Sequence, residues 1–319
     1  MLAALLPAAA AEAYCRTSAC SGHPEGWHVC TPAEADDCGI PLYRVRPRMT
    51  YSLQRDASDQ VSLEETRALV REVFDTWMAA DCGAGRTPRF EAIETEDAVC
   101  AKHEYSQDRG NANIIVYRDD DWAFQPEKIA VTTVSYDTKT GEIYDADLEI
   151  NATDYTFTTG TAGGIDLRAV LTHEIGHFLG LAHSSEPDAT MIAVYPPNAA
   201  ELRTLSEDDQ AGICAVYPPG PIVGTCDATP RHGFSVQCAD DQSGPAVEPE
   251  QPDDSGEACC CPDGYDCEQG VCVEGGCAAA PASGQARWPA LGLALLGILA
   301  GARRRASSRQ GGARSPEIV

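Results

Sequence analysis

The sequence has little positive charge. Among its 319 residues, 23 are Lys or Arg and 49 are Asp or Glu, which gives a formal net charge of −26. A protein that binds nucleic acid or an anionic membrane surface through its charge needs the opposite sign. The composition therefore argues against both as partners, and it leaves the identity of other partners open.

Long apolar runs are also missing. The most apolar stretch near the C-terminus, residues 288–302, contains 15 residues, whereas a helix that crosses a bilayer needs about 20. The sequence therefore does not predict a protein with several membrane spans. Its length allows one domain of about 200 residues and a remainder.

Histidine is scarce as well, with seven residues in the chain. Three of them, His173, His177 and His183, stand in an H-E-x-x-H-x-x-G-x-x-H motif. On a helix, His173 and His177 lie one turn apart on the same face, where two imidazoles can share one metal ion. Neutral imidazole suits zinc, and a catalytic zinc site has three protein ligands and one position for water. The motif therefore predicts a catalytic zinc site.

The third ligand requires that the helix end. His183 follows His177 by six residues, so a continuous helix would rotate it away from the face of the other two. Gly180 lies between them, and glycine enters the left-handed conformation that ends helices without a steric cost. We therefore predict that the chain turns at Gly180 and returns His183 to the metal.

Glu174 follows the first ligand directly. From this position a carboxylate takes a proton from water on the zinc, whose pKa the metal lowers to about 7. The same group then returns the proton to the leaving amine. We predict that Glu174 is the general base.

This segment resembles the metzincin metalloproteases, and Gly176 and Ser184 make it most similar to the matrixin branch. The resemblance covers roughly residues 40–218. It implies an α+β catalytic domain, with a twisted mixed sheet, an active-site helix and a C-terminal helix. It also implies protein or peptide substrates, which an edge strand binds by pairing of main chains.

The same resemblance assigns supporting roles downstream. Metzincins carry a methionine turn beneath the zinc, and Met191, eight residues after His183, suits that role. A tyrosine ligand, as in other metzincin branches, is not expected, because Ala193 occupies the position and the nearest tyrosine is Tyr195. Further on, Ser206 with an acidic residue three positions later predicts the start of the last helix.

The upstream sequence fits this architecture. Ser62 caps a predicted helix, whose apolar residues recur three to four positions apart. Three segments read as strands: 113–117, 129–136 and 143–150, with a hairpin turn at 139–141 between the last two. We expect the second of these strands to be the edge strand.

Further metal sites have weaker support. No histidine occurs between Glu104 and Thr172, where matrixins hold a second, structural zinc, so we predict one zinc ion. Calcium is possible at residues 119–121 or at Asp145, Asp147 and Glu149, since it prefers oxygen ligands. A solvated acidic surface explains these residues equally well.

Fifteen cysteines indicate an oxidising, extracytoplasmic location with disulfides. The connectivity does not follow from the sequence. Residues 1–13 are apolar and alanine-rich and end in a small-x-small pattern, so we interpret them as a signal peptide, possibly truncated, that is cleaved before Tyr14. Cys38 resembles the cysteine switch of matrixin propeptides but lacks the flanking arginine and aspartate. With three other cysteines nearby, we expect a disulfide there, and the switch is the alternative.

The resulting domain prediction has four parts. After the signal peptide, residues 14–220 form the matrixin-like domain with a cysteine-containing N-terminal extension. Residues 221–277 are an acidic, proline-rich linker and a small disulfide-rich segment. Residues 278–319 form a hydrophobic tail, which resembles the C-terminal sorting signal of myxobacterial surface proteins, with Cys277 at the processing site. A plain membrane helix is the alternative.

These observations predict a monomeric zinc endopeptidase, exported and anchored to the cell surface or membrane through its C-terminal region. The alternative is a metzincin-derived binding or adhesion module without catalytic activity. Glu174 separates the two, because a domain freed from catalysis has no physical need for a general base beside the metal.

Overall fold

The computed structural model describes residues 14–19, 40–160, 163–197, 199–222 and 228–243, together with two short strands farther along the chain. The described part contains a mixed β-sheet and three α-helices. The predicted α+β class is therefore confirmed. The predicted disulfide-rich tail lies largely outside the described residues.

The strands are short at both ends of the chain and longer in the middle. In chain order they are β1 (Ser18–Ala19), β2 (Ile40–Pro41), β3 (Arg48–Leu53), β4 (Glu91–Glu94), β5 (Ile114–Arg118), β6 (Ala130–Tyr136), β7 (Ile143–Asn151), β8 (Phe157–Thr158), β9 (Ile165–Asp166), β10 (Tyr265–Glu268) and β11 (Val271–Glu274). The helices are α1 (Leu63–Met78), α2 (Leu167–Phe178) and α3 (Glu207–Val216).

Five of the strands form the main sheet, in the order β4-β3-β5-β7-β6. The first four are parallel to one another, and β6 pairs antiparallel with β7. Within the described residues β6 therefore has one open side, as the sequence predicted for the strand at 129–136. The other two predicted strands, at 113–117 and 143–150, are β5 and β7, with bounds that differ by one residue.

Helix α1 begins where the sequence predicts. The Ser62 hydroxyl accepts a hydrogen bond from Glu65 N, and the Glu65 carboxylate accepts one from Ser62 N at 3.2 Å. This reciprocal pair satisfies two amide donors that the first turn leaves without helical partners. The helix then buries Val70, Val73 and Phe74, the apolar face of the predicted periodicity.

The core lies between α1, α2 and one face of the sheet. The Trp77 indole is fully buried and donates a hydrogen bond to Thr172 O at 2.9 Å, which joins α1 to α2. Phe74 stands edge-on to Phe178 with ring centroids 5.6 Å apart. Burial of such side chains contributes about 1.5–3 kcal/mol each, so this packing fixes the position of α2 against the sheet.

Two disulfides join distant parts of the domain. Cys82, after α1, is bonded to Cys214 in α3, and Cys100 is bonded to Cys238. The sequence could not give these pairings, because connectivity has no local signature. Cys238 belongs to a segment that we call the C-terminal strap, residues 228–243, so the disulfide Cys100–Cys238 attaches this segment to the domain.

The strap packs against the domain, although the sequence analysis assigned residues 221–277 to a linker and a cysteine-rich segment. Val236 O accepts hydrogen bonds from Val99 N and Cys100 N, at 2.7 and 2.9 Å. Arg231 forms an ion pair with Glu142 at 3.0 Å. Main-chain pairing, an ion pair and a disulfide together make the strap a structural part of the domain.

Several sequence predictions concern residues outside the described part, namely the signal peptide at 1–13, Cys38, Cys277 and the tail at 278–319. These stay predictions. Of the cysteine-rich segment, the structure describes only the backbone of β10 and β11, which pair antiparallel. In the part of the chain that is described, no helix has both the length and the apolar character needed to cross a bilayer.

Candidate active site

The active-site helix α2 has a firmly held N-terminus. Asp166 caps it, with its Oδ1 accepting a hydrogen bond from Ala169 N at 3.1 Å. Arg203 makes an ion pair with the other carboxylate oxygen at 2.7 Å. The Tyr195 hydroxyl accepts a hydrogen bond from Asp166 N at 2.7 Å. Tyr195 is therefore bound at the start of α2, seven residues before His173, in agreement with the expectation that it is not a metal ligand.

The helix ends at the glycine that the sequence singles out. Gly180 has φ of +100°, in the left-handed region. Its N–H donates to His177 O, and Leu181 N donates to Gly176 O, both at 2.9 Å. These are the two hydrogen bonds of a Schellman motif, which satisfies carbonyls that the last helical turn leaves free. The turn reverses the chain, and we call residues 179–183 the metal loop.

The three predicted ligands come together at the end of this loop. His177 Nε2 lies 3.0 Å from His173 Nε2 and 3.3 Å from His183 Nε2. Tetrahedral bonds of 2.0–2.1 Å to zinc place two ligand nitrogens about 3.3 Å apart. Three imidazole nitrogens at this spacing fit one zinc ion, and they form a group that could hold a metal.

Burial keeps the imidazoles of His173 and His177 neutral, as metal binding requires. It lowers the pKa of His177 to about 4, because the charged form loses its hydration. It also lowers the pKa of His173, which the neighbouring His177 and His183 lower further.

The far nitrogens of two rings bind main-chain carbonyls. His173 Nδ1 donates to Thr190 O at 2.7 Å, and His177 Nδ1 donates to Leu181 O at 2.8 Å. A carbonyl can only accept, so each Nδ1 carries the proton and each Nε2 presents its lone pair. The fold has thus selected the tautomer that binds metal through Nε2.

Met191, which the resemblance assigns to the methionine turn beneath the zinc, packs against Gly176 of α2. A Cβ atom at Gly176 would clash with the Met191 sulfur, so glycine at this position lets the methionine pack against α2. The backbone at Thr190 and Met191 is held by Asp209, whose carboxylate accepts hydrogen bonds from Thr190 N at 2.7 Å and Met191 N at 3.1 Å. Asp209 also belongs to the N-terminal cap of α3. This cap therefore positions Thr190, whose carbonyl orients the His173 ring.

Glu174 is fully buried next to the first ligand. Its Oε2 accepts a hydrogen bond of 2.6 Å from the Thr132 hydroxyl on strand β6. Its Oε1 is buried and has no hydrogen-bond partner in the described structure. Thr132 of the edge strand thus fixes Oε2, and Oε1 can accept a proton.

Burial raises the pKa of Glu174 to about 8, and the hydrogen bond from Thr132 and the charge of Lys128 oppose that rise. A cation on the three imidazoles would also favour the carboxylate form. A buried carboxyl group with a raised pKa beside a metal site is typical of a general base.

The candidate calcium ligands at 119–121 follow β5, where Asp119 and Asp121 bind Ser58 and Arg118, and the other set lies on β7. Asp147 accepts hydrogen bonds from Ile114 N and Glu104 N, both at 2.8 Å. Glu149 contacts His103 and has Arg118 Nε at 3.6 Å. Calcium therefore stays a prediction.

Two positions near the site were missed from the sequence. Thr132 gave no motif signal, because its partner Glu174 is 42 residues away. The Leu181 carbonyl accepts a hydrogen bond from His177, and backbone atoms carry no sequence signature. The alternation of side chains along β6 is the one sequence signal that could have indicated that Thr132 faces α2.

Comparison with known proteins agrees with this geometry. Human neutrophil collagenase is 28% identical over 188 residues, which cover 58% of this chain and 36% of the collagenase. Rat matrilysin is 42% identical over 64 residues, covering 20% of this chain and 24% of matrilysin. Metalloendoproteinase 4-MMP of Arabidopsis thaliana is 27% identical over 177 residues, or 54% and 46% of the two chains. The chain thus spans less than half the length of these relatives. The Matrixin family model matches residues 43–218, more than half of the chain, and the protein therefore belongs to the matrixin family.

Proposed function

We propose that this protein is a zinc endopeptidase that hydrolyses peptide bonds in proteins or peptides. The observation that carries the proposal is the meeting of three imidazole nitrogens beside the buried carboxylate of Glu174. A site that only binds zinc does not need that carboxylate, which burial makes costly to ionise.

His173, His177 and His183 would hold the metal. Zinc there supplies Lewis acidity, which polarises the substrate carbonyl and makes a water more acidic. Two of these ligands are oriented by the carbonyls of Thr190 and Leu181. Such partners fix ring orientation and raise ligand basicity.

Glu174 acts as the general base. Thr132 holds Oε2, so that Oε1 takes the proton from the attacking water. The same carboxyl group then gives the proton to the amine that leaves when the peptide bond breaks. The buried position favours this exchange, because it brings the pKa of Glu174 closer to neutral pH.

Strand β6 is the proposed binding edge for the substrate. It pairs with β7 on one side and is open on the other within the described sheet. An extended peptide can add to such an edge through main-chain hydrogen bonds. Because Thr132 belongs to this strand and contacts Glu174, a peptide bound there would lie close to the general base.

We further propose that the protein works outside the cytoplasm, as a monomer anchored through its C-terminal region. The fifteen cysteines and the disulfides Cys82–Cys214 and Cys100–Cys238 support an oxidising location. The apolar stretch at 288–302 and the arginines after it support the anchor.

The test is Glu174→Gln in the full chain, expressed into an oxidising compartment. Glutamine has nearly the same shape and cannot accept the proton, so cleavage of a mixed peptide library should fall by about a hundred- to ten-thousand-fold. Zinc content should stay at the level of the parent. The matched control is Glu64→Gln, an exposed glutamate in the first turn of α1, which should cleave normally.

The outcomes separate the two functional classes. If the parent binds zinc and cleaves no peptide, the binding-module alternative is favoured. If Glu174→Gln cleaves as fast as the parent, Glu174 is not the base and the mechanism is wrong.

A further inference from the structure

The first described residues of the chain lie beside the metal loop. Residues 14–19 precede the part that matches the family model, which begins at residue 43. Arg16 pairs antiparallel with Leu181. Thr17 N donates to Gly180 O at 2.9 Å, and Ala182 N donates to Cys15 O at 2.8 Å. The loop between the second and third zinc ligands is therefore paired with an added strand, which we call the N-terminal strand, residues 14–19.

One atom connects this strand to a zinc ligand. The Leu181 carbonyl accepts a hydrogen bond from His177 Nδ1 at 2.8 Å and another from the Thr17 hydroxyl at 2.9 Å. A carbonyl oxygen has two lone pairs, so it can accept both. The direction of this carbonyl sets the orientation of the His177 ring, and Thr17 helps to fix that direction.

The N-terminal strand is itself held on its other side. Leu42 N donates to Thr17 O at 2.7 Å, and the Arg16 guanidinium donates to Leu42 O at 3.0 Å. The last two residues of the N-terminal strand are β1, which pairs with β2. These bonds involve no zinc ligand, so they hold Thr17 in place whether or not a metal is bound.

Close packing and a covalent link add to these bonds. Cys15 is 1% exposed and is disulfide-bonded. Tyr14 packs against Gly212 of α3, where an added Cβ would come within 3.1 Å of the tyrosine Cβ. The strand is thus fixed at both ends of the segment that touches the metal loop.

We propose that the N-terminal strand pre-organises the metal loop, and that Thr17 is a positioning residue which acts on His177 through the Leu181 carbonyl. The proposal rests on the proposed zinc site, and it goes beyond it by assigning part of the zinc affinity to residues outside the family match. A loop that is already ordered loses less conformational freedom when the metal binds. Loss of the Thr17 hydroxyl should therefore weaken zinc binding without removing a ligand.

The test compares Thr17→Val with Thr17→Ser in the full chain. Valine keeps the branched shape and lacks the hydroxyl, whereas serine keeps the hydroxyl. We expect the zinc dissociation constant, measured by competition with a chelating indicator, to rise about tenfold in Thr17→Val, the lower end of the range for groups that orient a ligand. Thr17→Ser should bind zinc nearly as tightly as the parent.

Thr76→Val is the matched control. Thr76 lies in α1, and its hydroxyl donates to Glu72 O at 2.8 Å within the same helix. This variant also loses one hydroxyl-to-carbonyl hydrogen bond, but it has no connection to the metal loop. Its zinc dissociation constant should equal that of the parent.

Melting temperatures with and without zinc separate positioning from general stability. Zinc binding raises the melting temperature by an amount that depends on affinity. We expect that increment to shrink in Thr17→Val and to stay unchanged in Thr76→Val. A merely structural role would lower both melting temperatures of Thr17→Val equally.

Two results would overturn the proposal: an unchanged zinc dissociation constant in Thr17→Val, or an equal loss in Thr17→Ser. If Thr17→Val does not accumulate as folded protein, the Thr17→Ser result still decides, because weak zinc binding with the hydroxyl present contradicts the proposal. Failure of the parent to bind zinc would instead contradict the proposed function.

Discussion

The metal loop and the C-terminal strap show two ways in which this chain fixes a segment outside its α-helices and main sheet. The metal loop follows α2 directly: it begins with the Schellman turn at Gly180, and its main chain pairs with the N-terminal strand. The strap lies far along the chain and is held by long-range contacts, including the disulfide between Cys100 and Cys238. The turn at Gly180 can be predicted from the sequence because its determinants are local, whereas the pairing with the N-terminal strand and the contacts of the strap join distant residues and cannot.

The metal loop and the strap also differ in which residues they contact, and therefore in whether they bear on catalysis or on stability. The metal loop contacts His177 directly, through Gly180 N and the Leu181 carbonyl. The strap instead contacts Val99, Cys100, Asn111 and Glu142. Changes in the strap should therefore affect the free energy of unfolding more than catalysis. Changes around the metal loop should affect zinc binding and catalysis.

The largest expected effect comes from removing the strap disulfide with Cys100→Ser and Cys238→Ser together. The unfolded chain gains freedom, so the free energy of unfolding should fall by about 2–5 kcal/mol in chemical denaturation. The zinc content and the kcat of the variant that remains folded should match the parent. A large loss of kcat would show that the strap and the catalytic site are coupled.

Gly180→Ala should have the next largest effect. Alanine at φ of +100° is strained by about 1–2 kcal/mol, and its Cβ would lie 3.1 Å from Leu42 O. We expect both lower stability and weaker zinc binding. Gly83→Ala is the control, since Gly83 has φ of +81° and open space around it. It should lose stability and keep the zinc affinity of the parent; equal zinc losses in both would contradict the special role of Gly180.

Thr132→Val tests the link between the edge strand and the general base. A hydrogen bond to a charged group contributes about 1.5–3 kcal/mol, so steady-state kinetics should show a fall in kcat of at least about tenfold, with little change in KM. Thr132→Ser should recover most of the rate. Thr133→Val is the control, because side chains alternate along a strand and Thr133 points to the other face. A fall confined to KM would mean that Thr132 contributes to substrate binding instead.

The smallest expected effect concerns the ion pair of the strap. Burial raises the pKa of Glu142, and Arg231 opposes that rise. A carboxyl group whose pKa is raised by folding makes the protein less stable as the pH rises above the value of the unfolded chain. Arg231→Gln removes the opposing charge, so the pKa of Glu142 should rise further.

The difference in unfolding free energy between parent and Arg231→Gln should therefore be small at pH 4 and grow toward pH 6 and 7. Because the pair is partly exposed, we expect it to stay below about 1 kcal/mol. Urea denaturation at each pH measures it. A difference that does not vary with pH would show that Arg231 acts by packing on Tyr144, which its guanidinium covers at 4.4 Å.

The sequence predicted those features whose determinants are close together in the chain. The helix cap at Ser62, the break at Gly180 and the spacing of the three histidines each depend on a few neighbouring residues. Their geometry follows from the helical repeat and from the conformational freedom of glycine. Strand bounds followed from apolar patterns, with an error of one residue.

The features that were missed depend on contacts between distant residues. Thr17 lies 164 positions before Leu181, and Thr132 lies 42 before Glu174. No periodicity marks either threonine, and both are ordinary residues for a strand. Acidic, proline-rich composition predicts a linker in the part of the chain that contains the strap, whereas a disulfide and main-chain hydrogen bonds hold the strap in place.

The central claim is that one zinc ion, bound by His173, His177 and His183, supports hydrolysis with Glu174 as the base. The most direct measurement takes one sample of the full chain and determines both zinc per chain and peptide cleavage, before and after treatment with a chelator. We predict about one zinc per chain, with cleavage that disappears when the zinc is removed and returns when it is restored. Protein without zinc, or cleavage that survives complete removal of the metal, would contradict the account.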